Sequence, residues 1–283
     1  NILLGISGSI AAYKACDLVQ RLKEQGASVR VVMTHSATRI VHPNTLAALS
    51  GAPVLTDAWE GVADGAMPHI DAARRADLFL VAPCTAHTLA ELSLGLTGSA
   101  LSMTALAYTG PLAVAPAMNT VMLLSPPVQE HLARLRARGV HVLPTGDGAL
   151  ACGEIGDGKF ATPEEITAYA ELTFALRASE SGGKAGGVPH ADDSLVRLRG
   201  RRVLVSGGHT EEPLDGVRYL ANRSSGKTAL ALARAFRLCG ADVHLVLGPC
   251  EAVPPAGMQV TRVRTSAEFH AALTAAAPDA AAV

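Results

Sequence analysis

The chain has 283 residues, 49 % of them hydrophobic and 17 % charged, with 24 basic side chains against 25 acidic ones. That length fits one large domain or two ordinary ones, with apolar material enough for a core in each. A formal net charge of −1 and only 4 % aromatic residues argue against nucleic acid or an anionic membrane as partner.

Asn1 leads straight into the apolar run Ile2-Leu3-Leu4, so a few starting residues are expected to be missing; no signal peptide and no apolar run of eighteen residues is found. Ile2 to Ile6 reads as a buried strand. It runs into "GISGSIAAYKA", a strand, a Gly-Ser turn and a helix start. The N–H groups of Gly8, Ser9 and Ile10, with the hydroxyls of Ser7 and Ser9, are placed to hold a phosphate at the positive end of that helix. The spacing is not GxGxxG, so a mononucleotide such as FMN fits better than a dinucleotide, and an ordinary tight turn fits as well. Ala11, Ala15, Leu18 and Leu22 recur at helical spacing, and Gly26 stops the helix.

Further strands are expected at Ser28 to Met33, Leu78 to Ala82, Leu112 to Ala115 and Val140 to Leu143. Strand–helix alternation of this kind predicts a doubly wound parallel α/β sheet, with ligands at the carboxyl ends of its strands. Three features belong to that side: His69 in "AMPHIDAARR", the loop Pro83-Cys84-Thr85-Ala86, and Asn119 in "APAMN". Each has a bland reading too, a structural histidine, an ordinary loop and a helix N-cap. "LACGEIGDGK", residues 150 to 159, puts Cys152 among three glycines and two acids, in neither a core-like pattern nor a metal-ligand spacing. The five cysteines are odd in number and none falls in a CxxC, so no metal site and no disulfide framework is expected, and a reduced, cytosolic setting is the simplest inference.

A helix from Pro163 to about Ala178 closes a first domain, residues 1–178. "SESGGKAGGVPHADDS" reads as a linker, assigned to 179–195. A second α/β series occupies 196–283: a strand from Arg202 to Ser206, a helix from Gly226 to Cys239 buried through Leu232, Ala235, Phe236 and Cys239, then strands at Val243 to Leu247 and near Val260 to Val263. It ends in "TAAAPDAAAV", where a helix stops and another strand starts, and so is expected to be an incomplete domain. "LANRSSGKT" is close to a P-loop, but Ala221 occupies the first glycine position and the preceding strand ends too early. A Ser-Ser-Gly turn beside Lys227 still suits a phosphate.

Taken together these segments resemble the flavin-dependent cysteine decarboxylases, specifically the phosphopantothenoylcysteine decarboxylase half of bifunctional coenzyme A biosynthesis proteins. The resemblance rests on Gly8-Ser9-Ile10-Ala11-Ala12-Tyr13-Lys14, Met67-Pro68-His69-Ile70, Pro116-Ala117-Met118-Asn119 with Met122, and Ala151-Cys152-Gly153-Glu154, over residues 1–175. "GGHTEEPLDGVRYLANRSSGK" looks like the start of the family's phosphopantothenate–cysteine ligase domain. Departures from the family pattern fall at His87, Leu123, Phe160 and His209.

The resemblance implies a flavodoxin-like or Rossmann-like first domain that holds FMN through Gly8, Ser9, Ile10, Thr34, Ser36, Pro83, Cys84, Thr85 and Ala86. It implies decarboxylation of 4'-phosphopantothenoylcysteine to 4'-phosphopantetheine, with Cys152 as proton donor, His69 as acid/base and Asn119 on the substrate carboxylate. Met122, Ala151 and Gly153 are implied to touch substrate. For the second domain it implies a CTP- and magnesium-dependent ligase, with Asn222 on the acyl intermediate beside Ser224, Ser225, Gly226 and Lys227. The implied partners are small molecules and further copies of the chain, as trimers that associate up to a dodecamer. Two other readings stay open from sequence: a peptidyl-cysteine decarboxylase and a non-catalytic flavin-binding subunit.

Overall fold

The structure is a computed structural model and describes residues 1–58, 67–149, 153, 155–180, 198, 200–254 and 258–282. It divides into two compact units, Asn1–Asp193 and Ser194–Val283.

The first unit is built on five parallel strands. They are β1 (Ile2–Ile6), β2 (Val29–Met33), β3 (Leu78–Cys84), β4 (Leu112–Pro116) and β5 (His141–Val142), in the order β2-β1-β3-β4-β5. That order is the flavodoxin-like doubly wound sheet, whose direction of growth reverses between β1 and β3. All five residues of β1 and all seven of β3 are buried, as a strand covered on both faces requires. Leu3, Val32, Phe79, Val81 and Val114 share one core with Leu89, Leu101, Leu132 and Leu135. The alternate residues Leu4, Ile6, Met33 and Leu80 are equally buried and point to the opposite face.

Between the strands lie α1 (Ala15–Glu24), α2 (His35–Thr38), α3 (Pro43–Ser50), α4 (Pro68–Arg75), α5 (Ala86–Leu94), α6 (Ala100–Ala107), α7 (Thr120–Leu124) and α8 (Pro126–Ala137). The helix expected after Ser9 begins as a 3-10 segment, Ile10–Lys14, before α1 buries Ala15, Leu18, Val19 and Leu22. Helix α9 (Pro163–Glu180) packs on α1 and runs two residues past the expected end at Ala178. Residues 181–197, most of the expected linker, lie outside the described residues.

Three local expectations need correction. Strand β3 does not stop at Ala82: Pro83 and Cys84 belong to it, and the pairing to β4 shifts register between Val81 and Cys84, the kind of irregularity at which a strand accepts proline. His69, which the sequence places at a loop or strand end, is in the first turn of α4, because Pro68 supplies a helix-ready φ at the first position. The glycine-rich run around Cys152 is flanked by an antiparallel ribbon, β6 (Gly146–Ala149) with β7 (Ile155–Lys159), which the polar sequence did not announce.

The second unit has a parallel sheet of order β12-β11-β8, from β8 (Arg202–Gly207), β11 (Asp242–Leu247) and β12 (Gln259–Arg262). An isolated parallel bridge joins Val203 to Ala282, so β8 has a neighbour on each side. A hairpin, β9 (Glu211–Pro213) and β10 (Tyr219–Ala221), precedes α10 (Lys227–Leu238), and α11 (Ser266–Ala276) follows β12. Helix α10 buries Ala229, Leu230, Ala233 and Leu238 instead of the expected stripe; Leu232 is half exposed and Ala235, Phe236 and Cys239 are only partly covered. The two stripes share no residue, and the observed one carries Ala229 close against β8: a Cβ on Gly207 would lie 2.2 Å from that of Ala229.

Candidate active site

The carboxyl ends of β2, β1, β3 and β4 are joined by one row of hydrogen bonds. The Thr34 N–H donates to the Ile6 carbonyl at 3.0 Å, the Ser7 N–H to Pro83 at 3.2 Å and the Ala117 N–H to Cys84 at 3.0 Å. The row continues into the ribbon, where the Met118 N–H donates to the Gly158 carbonyl at 3.2 Å. Gly8, Ser9, Ile10, Thr34, Pro83, Cys84, Thr85, Ala86 and Asn119 all belong to this edge, where a doubly wound sheet binds its ligands.

Within the row the two serines act differently from the expectation. The Ser7 hydroxyl is fully buried; it donates to the Pro83 carbonyl at 2.8 Å and accepts from the Thr85 N–H at 2.9 Å. It stitches β1 to β3 and is not offered to a phosphate. The Ser9 hydroxyl accepts from the Ala11 N–H at 3.3 Å, and the Ser9 N–H is bonded to the Ser7 carbonyl at 2.8 Å. A hydroxyl that accepts can still donate, so the Ser9 O–H and the Gly8 and Ile10 amides are what the cradle has to offer. Gly8 has to be glycine, since a Cβ there would lie 2.4 Å from the Cβ of Ser36.

Three helical segments start from this edge, each with a hydroxyl cap: Ser9, Thr34, which accepts from the Ala37 N–H, and Thr85, which accepts from Thr88. Their positive ends face the same side of the sheet and favour an anion there. Cys84 is no part of that polar surface. Its side chain is fully buried in the core, and burial, with the Glu91 charge second, pushes the thiol well up, so only its main chain adjoins the site.

Asn119 caps α7, its Oδ1 accepting from the Val121 N–H at 2.8 Å and the Met122 N–H at 3.4 Å. Met122 is about half exposed next to it. His69 is only 8 % exposed, and its Nδ1 is buried with no hydrogen-bond partner among the described residues. It lies on α4, which packs against α6, and is not joined to the hydrogen-bonded row. Ala151 and Cys152 lie outside the described residues; Gly153 is exposed in the left-handed region at φ 87°, with open space around it. Sequence reasoning missed Ser7 as a strand tie and Thr120 and Asp157 as ribbon contacts, all of which depend on partners far along the chain.

Two of the departures from the family pattern are packed into the unit and two are not. Leu123 and Phe160 are buried at 5 % and 4 % exposure, whereas His87 is solvent-facing, 3.7 Å from Glu91. In the second unit, residues 222–226 form the turn into α10, and Gly226 sits in the left-handed region at φ 72° against Cys250. His209 lies 3.7 Å from Glu211, which also binds Arg264 at 2.5 Å.

A capped, phosphate-suited edge on a flavodoxin-like sheet defines a mononucleotide-binding α/β protein. The chain belongs to the flavoprotein family, whose model matches residues 1–173. Residues 198–283 match a second model, the DNA/pantothenate metabolism flavoprotein C-terminal domain. The coenzyme A biosynthesis bifunctional protein CoaBC of Vibrio cholerae is 41 % identical over 273 residues, covering 96 % of this chain and 64 % of that protein. Its namesake in Mycobacterium tuberculosis is 40 % identical over 281 residues, covering 99 % and 63 %. The chain thus spans a little under two thirds of these relatives. Among solved structures, a cysteine-to-serine mutant of PPC decarboxylase complexed with pantothenoylaminoethenethiol matches with a TM-score of 0.57 and 34 % identity, covering 62 % of this chain and 97 % of that one. The FMN binding protein AtHal3 matches with a TM-score of 0.54 and 34 % identity, covering 62 % and 96 %.

Proposed function

We propose that the first unit is an FMN-dependent decarboxylase of 4'-phosphopantothenoylcysteine and that the second belongs to a phosphopantothenate–cysteine ligase. The carrying observation is the hydrogen-bonded row that brings the phosphate cradle, the Asn119 turn and the base of the Cys152 ribbon to one edge. What supports a flavin phosphate at this edge is the tight Gly8 turn, closed against Ser36, with the capped segments at Thr34 and Thr85 beside it. Ser36, packed against Gly8, and the Ile10 amide complete the holding set.

A cysteine carboxylate resists loss of CO2 because the electrons left behind have no sink. When bound, the flavin supplies that sink by oxidising the thiol-bearing carbon, and the cycle is redox-neutral. The protein's residues bind, orient and move protons. With its oxygen capping α7, the Asn119 side chain uses its amide N–H groups on the substrate carboxylate. His69, whose buried Nδ1 has no partner among the described residues, would accept or return a proton as the substrate is oxidised. Cys152 protonates the ene-thiolate carbon left by decarboxylation; a thiol of pKa ~8.5 is mostly protonated at neutral pH. In the second unit, Asn222, Ser224, Ser225, Gly226 and Lys227 form the turn proposed to handle the acyl intermediate made with CTP and magnesium. A cytoplasmic homo-oligomer built on trimers fits this reading. Among the described residues no helix is long and apolar enough to cross a membrane.

The purified full-length protein is expected to be yellow and to release CO2 from 4'-phosphopantothenoylcysteine in preference to a cysteine-terminated peptide. Cys152→Ser is expected to bind FMN normally and to stall before the final product. Wild-type turnover by that variant removes the proton-donor role, and a colourless protein that takes up no FMN removes the decarboxylase reading.

A further inference from the structure

The ribbon that brackets residues 150–154 is seated on the Asn119 turn by specific contacts. Thr120 donates its hydroxyl to the Asp157 carbonyl at 2.5 Å. A Cβ on residue 156 would lie 2.7 Å from that hydroxyl oxygen, and one on residue 158 would lie 2.4 Å from the Met118 carbonyl, so Gly156 and Gly158 permit the approach. The Met118 N–H to Gly158 carbonyl bond lies beside it. Asp157 is held in turn, its Oδ1 accepting from the Gly158 N–H at 2.8 Å and from the Thr145 hydroxyl. The carbonyl presented to Thr120 is therefore fixed in direction.

We infer that Thr120 is a positioning residue whose hydroxyl couples the turn carrying Asn119 to the ribbon carrying both ends of the Cys152 segment. It sets where the ribbon lies relative to the amide that holds the substrate carboxylate. The inference rests on the roles given to Asn119 and Cys152 above. Valine has the shape of threonine without the donor, and the Asp157 carbonyl is near enough to solvent for water to replace it, so Thr120→Val leaves the fold intact.

The test compares full-length wild type, Thr120→Val and Thr120→Ser by two readouts. In amide hydrogen exchange, Thr120→Val is expected to speed exchange of peptides covering 146–149 and 155–159 roughly tenfold, the weight of one hydrogen bond, with β1 to β4 unchanged. Thr120→Ser, which keeps the donor, stays within about threefold of wild type. In steady-state decarboxylation of 4'-phosphopantothenoylcysteine, Thr120→Val is expected to lose roughly tenfold in kcat with a smaller change in KM and unaltered FMN absorbance, and Thr120→Ser to restore it. Unchanged ribbon exchange in Thr120→Val, or equal acceleration in Thr120→Ser, overturns the coupling. Faster exchange with wild-type kcat overturns its part in the reaction. A wild type that binds FMN but decarboxylates nothing defeats the functional reading instead, and the exchange data still decide the coupling.

Discussion

A missing Cβ at Gly8 and a buried hydroxyl at Ser7 do as much for the proposed site as any group facing a ligand. Gly8→Ala forces a methyl against Ser36 at the cradle floor, an overpacking that costs about 1–3 kcal/mol. Flavin affinity is expected to drop at least roughly tenfold with little change in the far side of the sheet, as read by quenching of flavin fluorescence. The two thiols of the first unit most tied to the site should separate cleanly. Cys84, fully buried with its thiol pushed up, is expected to resist iodoacetamide in the native protein, while labelling at Cys152 is slowed by substrate. Mass mapping after brief alkylation checks this, and fast modification of Cys84 contradicts its placement in the core.

Elements were legible in proportion to their apolar content. The runs Ile2–Ile6 and Leu112–Ala115 announced themselves because a strand buried on both faces is nearly continuous in Val, Ile, Leu and Ala. Ribbon β6–β7 did not, because it is mostly glycine and aspartate, with Ile155 its one large apolar residue, and it is tied to Met118 and Thr120, roughly forty residues earlier. A still longer separation hid Ser7, whose partner Pro83 is 76 residues away. Of the candidate site, the Gly8 turn and Asn119 were readable as turn and cap chemistry, although Asn119 alone could not show whether it served the helix or a substrate, and the Thr85 cap was not foreseen. At the amino end of α11, Glu212 accepts from both the hydroxyl and the N–H of Ser266, and these bonds hold its carboxyl below the ordinary 4.5. A depressed folded value means the contribution is present above about pH 4.5 and is lost as pH falls through the lower, folded value. Glu212→Gln is expected to flatten the acid limb of the second unit's thermal stability; an unchanged acid limb rejects the assignment.

At the scale of the molecule, the two units have separate cores, one around Phe79, Val81 and Leu101 and one around Val205, Leu230 and Leu245. Leu245→Ala, at a fully buried position, is expected to cost about 2–5 kcal/mol in the second unit and nothing in the first. Denaturation followed separately by bound-flavin absorbance and by exchange in α10 checks this, and a matching shift in the flavin signal argues that the cores unfold together. The Ser7 hydroxyl has a bearing on kinetics as well. Its two bonds close β1 against β3 within the protein itself, so the floor of the proposed phosphate cradle needs no cofactor to form it. Reconstitution of apoprotein should then follow a single exponential whose rate climbs linearly with added FMN, with no slow reordering phase behind the encounter.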